Sequence, residues 1–272
     1  MIVCSGASHS RAMSYPHGTF NWVDLRAHDM ERAKRFYGEL FGWTATDEDT
    51  QGGPPYATFS LGGKSAAGLG QTSAEMKEQG VVSLWNTYVA VTSAASLERT
   101  AVEHGGSVIM PSMTVMSAGM MGFLADPEGA VFATWEADQH QGSEIVNVPG
   151  AFCWNELAVR DIDAAKAFYE KIFGWTMVEK HIPDVPTRTM IIKVRDREIG
   201  HALQMNADWE GIPAHWKVYF SVADCDDSAA SAQSLGGKVL VPPMDIPPGR
   251  FSLLQDDQVA MFYIIALKEA AT

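Results

Sequence analysis

The sequence predicts an α+β fold built from two tandem copies of one module. Residues 20–48 and 152–180 align without a gap at an offset of 132 residues, and twelve of the 29 paired positions are identical. An internal repeat of this length defines the architecture before any other feature of a chain. In each copy a short alternating strand precedes an amphipathic helical pattern and then further strands. Both modules are therefore expected to have the same order of elements.

Each module is predicted to contain the unit β-α-β-β-β twice. In the first copy strands are expected at about 19–26, from Trp43, and at 56–63, 64–71, 84–91, 107–109, 119–125 and 130–136. The corresponding strands of the second copy are expected at about 151–159, from Trp175, and at 187–196, 197–205, 215–222, 238–241, 251–255 and 259–266. Helices follow Asp29 and Asp161, which are suited to capping, and others are expected at about 94–104 and 225–235.

Four segments follow from this pattern. Residues 1–16 lack an apolar stretch and are predicted to be a flexible leader. The first module is assigned to residues 17–137 and the second to residues 150–268. Residues 138–149 are polar and contain glycine, which favours a linker between the modules.

The composition excludes several classes of protein. The net charge is −13 and the chain contains no basic run, which argues against a nucleic-acid surface. No apolar run approaches the roughly 18 residues that a membrane span requires. The three cysteines are far apart, which indicates a reducing compartment and neither a disulfide nor a zinc framework. A cytoplasmic location is the expectation.

Both copies carry the pattern D-(I/M)-(D/E)-x-A-K-x-F-Y-x-x-(L/I)-F-G-W, and the first copy adds DPEGAVF at 126–132. HGGSV and LGGKV occupy matching places after the later helix of each module. With these motifs the chain resembles a tandem two-module member of the vicinal oxygen chelate superfamily, which includes glyoxalases, bleomycin-resistance proteins and dioxygenases. The resemblance implies open half-barrels that enclose a cavity for a small organic molecule.

The resemblance also implies where a divalent metal would bind. The expected ligand positions fall on Trp22, Asn86 and Ala133 in the first module, and on Trp154, Lys217 and Tyr263 in the second. Tryptophan and alanine do not ligate metals, and lysine is a cation at neutral pH. No cofactor is therefore expected. A divalent metal at a displaced site, formed by Glu156 and His215, is the alternative.

Two acids stand in matching places and are the candidates for proton transfer. Asp24 and Glu156 each lie two residues beyond a tryptophan, so strand alternation points them to the same face as Trp22 and Trp154. Burial against indole rings would raise a carboxyl pKa towards neutral pH, as a general acid or base requires. The alternative is a buried acid that only holds the structure through hydrogen bonds.

Other residues on the same predicted faces complete the candidate sites. Tyr88 and Tyr219 are paired by the repeat and could orient a carbonyl or donate a proton, or could simply pack in the core. His215 begins a strand and shares its face with Lys217. The predicted catalytic residues are thus Asp24, Glu156, Tyr88, Tyr219 and His215, and the predicted ligand-binding residues are Trp22, Trp154, Asn86, Lys217 and Tyr263.

Five methionines cluster in residues 109–121, IMPSMTVMSAGMM. Flexible thioether side chains adapt to varied apolar ligands, so this segment is predicted to be either a lid or an irregular loop that covers the sheet.

Two functions remain open at this point. One is an enzyme with lyase, isomerase or hydroxylase-like chemistry, in which buried carboxylates move a proton without the usual metal triad. The other is a metal-free protein that binds or sequesters a small molecule, as bleomycin-resistance proteins do. In either case the expected partner is a small apolar or aromatic organic molecule, with no nucleic acid and no membrane, and the protein is expected to be a monomer or a homodimer.

Overall fold

The computed structural model describes residues 14–182 and 186–268, and residues 1–13 of the predicted leader lie outside the described residues. The first module has three helices, α1 (Met30–Phe41), α2 (Ala74–Glu78) and α3 (Ala94–Glu103). Its strands are β1 (Phe20–Ala27), β2 (Thr44–Asp47), β3 (Tyr56–Leu61), β4 (Lys64–Gln71), β5 (Leu84–Ala90), β6 (Ser107–Val115), β7 (Gly119–Ala125) and β8 (Val131–Ala137).

The second module repeats this order. Its helices are α4 (Ile162–Phe173) and α5 (Cys225–Ser234), with a short 3₁₀ helix at Ala207–Trp209. Its strands are β9 (Phe152–Val159), β10 (Thr176–Glu179), β11 (Thr189–Val194), β12 (Arg197–Gln204), β13 (His215–Ser221), β14 (Lys238–Ile246), β15 (Gly249–Gln255) and β16 (Met261–Leu267). The predicted repeat of β-α-β-β-β units is confirmed. The sequence patterns missed α2 and the 3₁₀ helix because one helical turn has no readable period.

Each module forms one open eight-stranded sheet. The strand order is β2-β3-β4-β1-β5-β8-β7-β6 in the first sheet and β10-β11-β12-β9-β13-β16-β15-β14 in the second. Strands β1 and β5 are antiparallel neighbours at the middle, and each is also parallel to the last strand of its own unit. The two units of a module therefore meet along β1 and β5, so residues of these strands lie at the centre of the sheet.

The first helix of each module begins and ends as the sequence indicates. The Asp29 carboxylate accepts a hydrogen bond from the backbone of Arg32, and Asp161 does the same for Asp163 and Ala164. Gly42 follows α1 with φ 72° and Gly174 follows α4 with φ 68°. These left-handed positions favour glycine, which explains the repeated Phe-Gly-Trp motif.

The methionine-rich segment is not the irregular loop or lid that the sequence predicted. It forms β6, a short turn and β7, and the two strands pair from Ser107–Ala125 to Val115–Gly119. Two register shifts in β6 interrupt the alternation of side chains, which hides the strand from a sequence pattern. Met110 and Met121 nevertheless pack beside Trp22, so part of the segment does border the predicted site.

No helix within the described residues is long and apolar enough to cross a membrane.

The two modules share one hydrophobic core, to which α1 and α4 contribute across the boundary between the modules. In α1, Phe36 and Tyr37 contact Phe262 of β16. In α4, Tyr169 contacts Phe132 of β8. The first helix of each module thus packs on the last strand of the other.

A buried hydrogen-bond chain fixes each of these crossings. Trp85 donates from Nε1 to the Tyr37 hydroxyl at 3.0 Å, and that hydroxyl donates to Asp256 Oδ2 at 3.0 Å. Asp256 lies in the turn before β16, so the chain joins the two modules. The second module provides the same arrangement in reverse, through Trp216, Tyr169 and Asp126. Since both tyrosines are fully buried, their hydroxyls have no access to water.

Replacing either tyrosine by phenylalanine should destabilise the fold. Tyr37→Phe leaves the Trp85 N–H and one Asp256 oxygen without that partner, and Tyr169→Phe does the same in the other crossing. Each change should lower the free energy of unfolding by about 1–3 kcal/mol, as expected for buried polar groups that lose a partner. Urea denaturation measures it, with Tyr263→Phe as the matched control, because the Tyr263 hydroxyl makes no hydrogen bond to the described residues. Equal stabilities for all three variants would contradict this role.

Candidate functional site

The middle strand of the first sheet separates two chemically different faces. Val23 and Leu25 of β1 point into the shared core, whereas Trp22 and Asp24 point to the opposite face. We call this opposite face, centred on Trp22, Asp24, Asn86 and Tyr88, the site face of the first module. The predicted alternation of β1 and β5 is confirmed by this placement.

Asp24 is buried and held by neutral donors. Asn86 donates from Nδ2 to Asp24 Oδ1 at 2.8 Å, and the Tyr88 hydroxyl donates to Oδ2 at 2.7 Å. Burial raises the pKa of Asp24 above its ordinary value, and the two hydrogen bonds and the charge of Arg26 only partly offset that effect. Asp24 is therefore a carboxyl group that takes up a proton more readily than an exposed aspartate.

Aromatic side chains surround this carboxyl group. Trp22 donates from Nε1 to the Tyr56 hydroxyl at 3.1 Å. Tyr56 lies across β4 at Gly68, where a Cβ atom would come within 1.9 Å of the Tyr56 oxygen. Glycine at this position is thus required for the Tyr56 hydroxyl to reach Trp22. The apolar part of the site face is a small cluster separate from the shared core, formed by Trp22, Tyr88, Phe123, Ala133 and Trp135.

The linker also reaches the site face. The His140 ring lies edge-on to Trp22 with centroids 4.5 Å apart, and Trp135 donates to the His140 carbonyl at 2.7 Å. Burial lowers the pKa of His140, so this ring tends to stay neutral. His140 therefore places an uncharged ring beside Trp22.

The matching acid of the second module has the opposite surroundings. Lys217 donates from Nζ to Glu156 Oε1, and His201 Nε2 lies 2.5 Å from Oε2. The Tyr219 hydroxyl donates to Oε2 at 3.3 Å. Burial raises the pKa of Glu156, but the ammonium of Lys217 and the hydrogen bond from His201 outweigh it, so the pKa of Glu156 is lowered. Glu156 is a buried, ion-paired carboxylate.

The hydrogen bonds determine the tautomer of His201. Trp154 donates from Nε1 to His201 Nδ1 at 2.8 Å. Because an indole N–H only donates, Nδ1 must keep its lone pair, and the ring proton lies on Nε2, where it is directed at Glu156. In this arrangement His201 contributes a hydrogen bond, and Lys217 provides the positive charge that balances Glu156.

Two sequence differences account for the contrast between the modules. The residue opposite Asp24 on the neighbouring parallel strand is Gly68, whereas His201 is opposite Glu156. On the antiparallel side Asn86 is opposite Asp24, and Lys217 is opposite Glu156. In the second module Glu156 therefore lies between an imidazole and an ammonium group. In the first module Asp24 lies between an amide and a glycine, which has no side chain.

His215 does not contact Glu156, contrary to the predicted acid–base or metal pair. Its Nδ1 lies 2.8 Å from the Pro213 carbonyl oxygen, and its ring stacks on Trp209. In the sheet His215 is opposite Ala158, two residues beyond Glu156, and the Lys217 ammonium lies 4.8 Å from the centre of the same Trp209 ring. The displaced metal site at Glu156 and His215 therefore has no support in the geometry.

The remaining predicted ligand-binding residues share the site face of the second module. Tyr263 stacks on Tyr219 with ring centroids 4.6 Å apart. The Lys217 ammonium lies 5.4 Å from the centre of the Tyr263 ring. Trp154 belongs to the His201 hydrogen-bond chain. These side chains pack on one another around the Glu156 ion pair.

The residues present do not fit the metal centre that the superfamily resemblance implies. In the first module the three expected positions hold an indole, a primary amide engaged with Asp24, and a buried methyl group. Within residues 14–182 and 186–268, no group of three or more His, Cys, Asp or Glu side chains could hold a metal ion. These side chains therefore do not provide the ligands for a metal-assisted reaction step.

Two open grooves lie away from both acids. One, of about 470 Å³, borders the start of α1 and includes His28, Lys34 and Gln71. The other, of about 330 Å³, borders the end of α1 and includes Phe41 and Asp224. At the site face itself, half-buried Tyr56 and Asn86 lie above the buried Asp24.

Some contributors to the site were not predicted. Tyr56 and Gly68 lie on β3 and β4, and their register with β1 cannot be read from sequence spacing. His140 was assigned to the linker. His201 was not among the predicted site residues, and neither was Arg26, although its position two residues after Asp24 places it on the same face.

The family model for the glyoxalase/bleomycin resistance protein/dioxygenase superfamily matches residues 19–155 and 151–258. The chain belongs to this superfamily. This agrees with the two open eight-stranded sheets and with the tandem arrangement of the modules.

Curated relatives match over nearly the whole chain. CFP32 of Mycobacterium tuberculosis (strain CDC 1551 / Oshkosh), a protein provisionally named a glyoxylase, is 39% identical over 92% of this chain and 95% of its own length. The anthracycline biosynthesis protein DauV of Streptomyces sp. (strain C5) is 34% identical over 92% of this chain and 93% of its own.

Solved structures share the fold at low sequence identity. The 2,3-dioxygenase LapB from Pseudomonas sp. KL28 has a TM-score of 0.62 and 13% identity, with 94% of this chain and 95% of that chain covered. The Mn(II)-bound glyoxalase from Novosphingobium aromaticivorans has a TM-score of 0.62 and 15% identity, with 93% and 84% covered. At these identities the likeness concerns the fold alone.

Removing the charge of Glu156 should destabilise the protein far more than the equivalent change at Asp24. Glu156→Gln leaves the buried Lys217 ammonium without its partner, which should lower the free energy of unfolding by about 3–5 kcal/mol. Asp24→Asn leaves one of the two donors, Asn86 or Tyr88, without its acceptor but removes no ion pair, so we expect a loss of about 1 kcal/mol. Chemical denaturation at pH 7 compares the two variants.

The double variant Glu156→Gln with Lys217→Met provides the control, because it removes both charges and should recover most of the loss. The Glu156 pKa is lowered in the folded state, so its stabilising effect is present above about pH 4.5 and is lost as the pH falls further. The gap between the native protein and the double variant should change in that acidic range. Similar losses for Glu156→Gln and Asp24→Asn would contradict the assignment.

Proposed function

We propose that the site face of the first module binds a small aromatic organic molecule and that Asp24 transfers a proton to or from it. One observation carries the proposal: the two repeat-related acids differ in what holds them. Glu156 is committed to Lys217 and His201, whereas Asp24 has only neutral donors and retains a raised pKa. A carboxyl group poised in this way suits general acid–base catalysis.

As a base, the Asp24 carboxylate would take a proton from a carbon next to a carbonyl group. The electron pair of the broken C–H bond forms a C=C bond while the π pair of the carbonyl group moves to its oxygen, and the proton then returns from Asp24 to another atom of the same molecule. This is an isomerisation or the first half of a lyase reaction, and it needs no redox partner. Tyr88 and Asn86 hold the two oxygens of Asp24 and so set the direction of its lone pairs.

The surroundings of Asp24 favour an aromatic ligand. Trp22, Phe123 and Trp135 line the apolar part of the site face, and Met110 and Met121 border it. Flat aromatic surfaces and adaptable thioethers suit a planar molecule. A relative with 34% identity is named for anthracycline biosynthesis, which supports an aromatic ligand for this chain as well.

Access to Asp24 requires small side-chain movements. Asp24 is 7% exposed, while Asn86 and Tyr56 beside it are half-buried. A ligand would reach Asp24 when the Asn86 amide and the Tyr56 ring rotate outward, a change of rotamer that is common on binding. Once seated, the ligand would exclude water from the carboxyl group.

Proton transfer can be tested without knowledge of the natural substrate. The purified protein is incubated in D₂O with 2-tetralone and 2-hydroxyacetophenone, and loss of the α-proton signal is followed by ¹H NMR. The native protein should accelerate exchange, and Asp24→Asn should reduce the acceleration at least tenfold, within the range that a general base contributes. Asp196→Asn is the matched control, because Asp196 is exposed in the turn between β11 and β12.

Equal exchange by the native protein and by a folded Asp24→Asn variant would overturn the proton-transfer proposal. The rate should rise with pH as Asp24 loses its proton, and the midpoint should lie above the ordinary aspartate value of 3.8.

Binding without chemistry is the second candidate function. It is favoured by the indole, amide and methyl groups at the positions where the superfamily resemblance implies metal ligands, together with the aromatic lining. Saturable binding of 1,2-dihydroxyanthraquinone by calorimetry, with no exchange of any tested ketone, would support sequestration of a small molecule over catalysis.

A further inference from the structure

Arg26 follows Asp24 by two residues on β1 and lies on the same face. Its guanidinium carbon lies 5.8 Å from the centre of the Phe123 ring, and Phe123 in turn contacts Tyr88 with ring centroids 5.8 Å apart. Arg26 is half-buried, and its charge acts on Asp24. The first module therefore places a cation at the border of the aromatic cluster that contains its candidate acid.

The polar partner of Arg26 is a weak one. Its Nη1 lies 3.0 Å from the Met76 sulfur, and a thioether is a poor hydrogen-bond acceptor. Among the described residues, no carboxylate oxygen lies within 4.0 Å of the Arg26 guanidinium. Several donor positions of this side chain are therefore free to bind an acceptor from outside the protein.

This situation differs from that of three other arginines in the chain. Arg32, Arg188 and Arg250 are each paired with aspartate. The chain has 33 acidic residues and 20 lysines and arginines, so acidic partners are abundant. A half-buried arginine without one is unusual under these conditions, since buried charges are normally paired.

The second module lacks an equivalent free cation at this place. The residue that corresponds to Arg26 in the repeat is Ala158, and the buried cation of that module, Lys217, is bound to Glu156. Among the residues that the structure describes, Arg26 thus has no carboxylate partner, and it lies on the same face as Asp24, which is also free of an ion pair there.

We propose that Arg26 binds an anionic oxygen group of the ligand, so that the first module selects aromatic carboxylates over their neutral analogues. The inference rests on the proposed function of this site face and specifies its ligand class. A guanidinium group binds a carboxylate with two parallel hydrogen bonds, and a carboxylate readily replaces the Met76 sulfur as acceptor. Because the whole protein is strongly acidic, an anionic ligand needs such a local cation.

The test compares 2-naphthoate with 2-naphthamide by calorimetry on the full-length native protein and two variants. The native protein should bind naphthoate at least tenfold more tightly than naphthamide. Arg26→Gln should abolish that preference by weakening naphthoate at least tenfold while changing naphthamide less than threefold. Arg35→Gln removes the same charge from an exposed position on α1 and should preserve the preference.

A native protein without preference for naphthoate would overturn the inference, and so would an Arg26→Gln variant that keeps the preference. An equal loss in Arg35→Gln would show that net charge, and not Arg26, is responsible. The result is separate from the proton-transfer proposal: that proposal fails if Asp24→Asn keeps its exchange rate, whatever Arg26→Gln does to naphthoate binding.

Discussion

The structure depends on the packing of the first helix of each module against the last strand of the other module. Each first helix carries a buried tyrosine that accepts from a tryptophan of its own sheet and donates to an aspartate in a turn of the other module. These two hydrogen-bond chains join the modules at the shared core, which covers one face of each sheet. The opposite faces are not covered by this core, and Asp24 and Glu156 lie on them.

Duplication produced two acids in equivalent positions, and neighbouring residues gave them different properties. In the second module, His201 and Lys217 supply a donor and a balancing charge, so Glu156 is fixed in an ion pair. In the first module, Gly68 leaves that space to Tyr56, and Asn86 donates without charge. A buried ion pair holds a module in one conformation, whereas an unpaired carboxyl group can exchange its proton with a ligand.

Much of the fold could be predicted from the sequence because the repeat, the capping aspartates and the Phe-Gly-Trp motif are local signals. The shared face of Trp22, Asp24, Asn86 and Tyr88 also followed from strand alternation. The contact between His201 and Glu156 could not be predicted, because it depends on the register between β9 and β12, which is set by the whole sheet. Within the described residues His215 makes no ion pair with Glu156, because parity gives a face but not the distance along a strand.

The central claim is that the two matched carboxyl groups differ in protonation. It is tested most directly by ¹³C NMR titration of side-chain carboxyl groups, with Asp24→Asn and Glu156→Gln used to assign the two resonances. The account predicts that Asp24 titrates above 3.8 and that Glu156 remains ionised well below 4.5. Two ordinary titrations, or a Glu156 that takes up its proton at higher pH than Asp24, would contradict it.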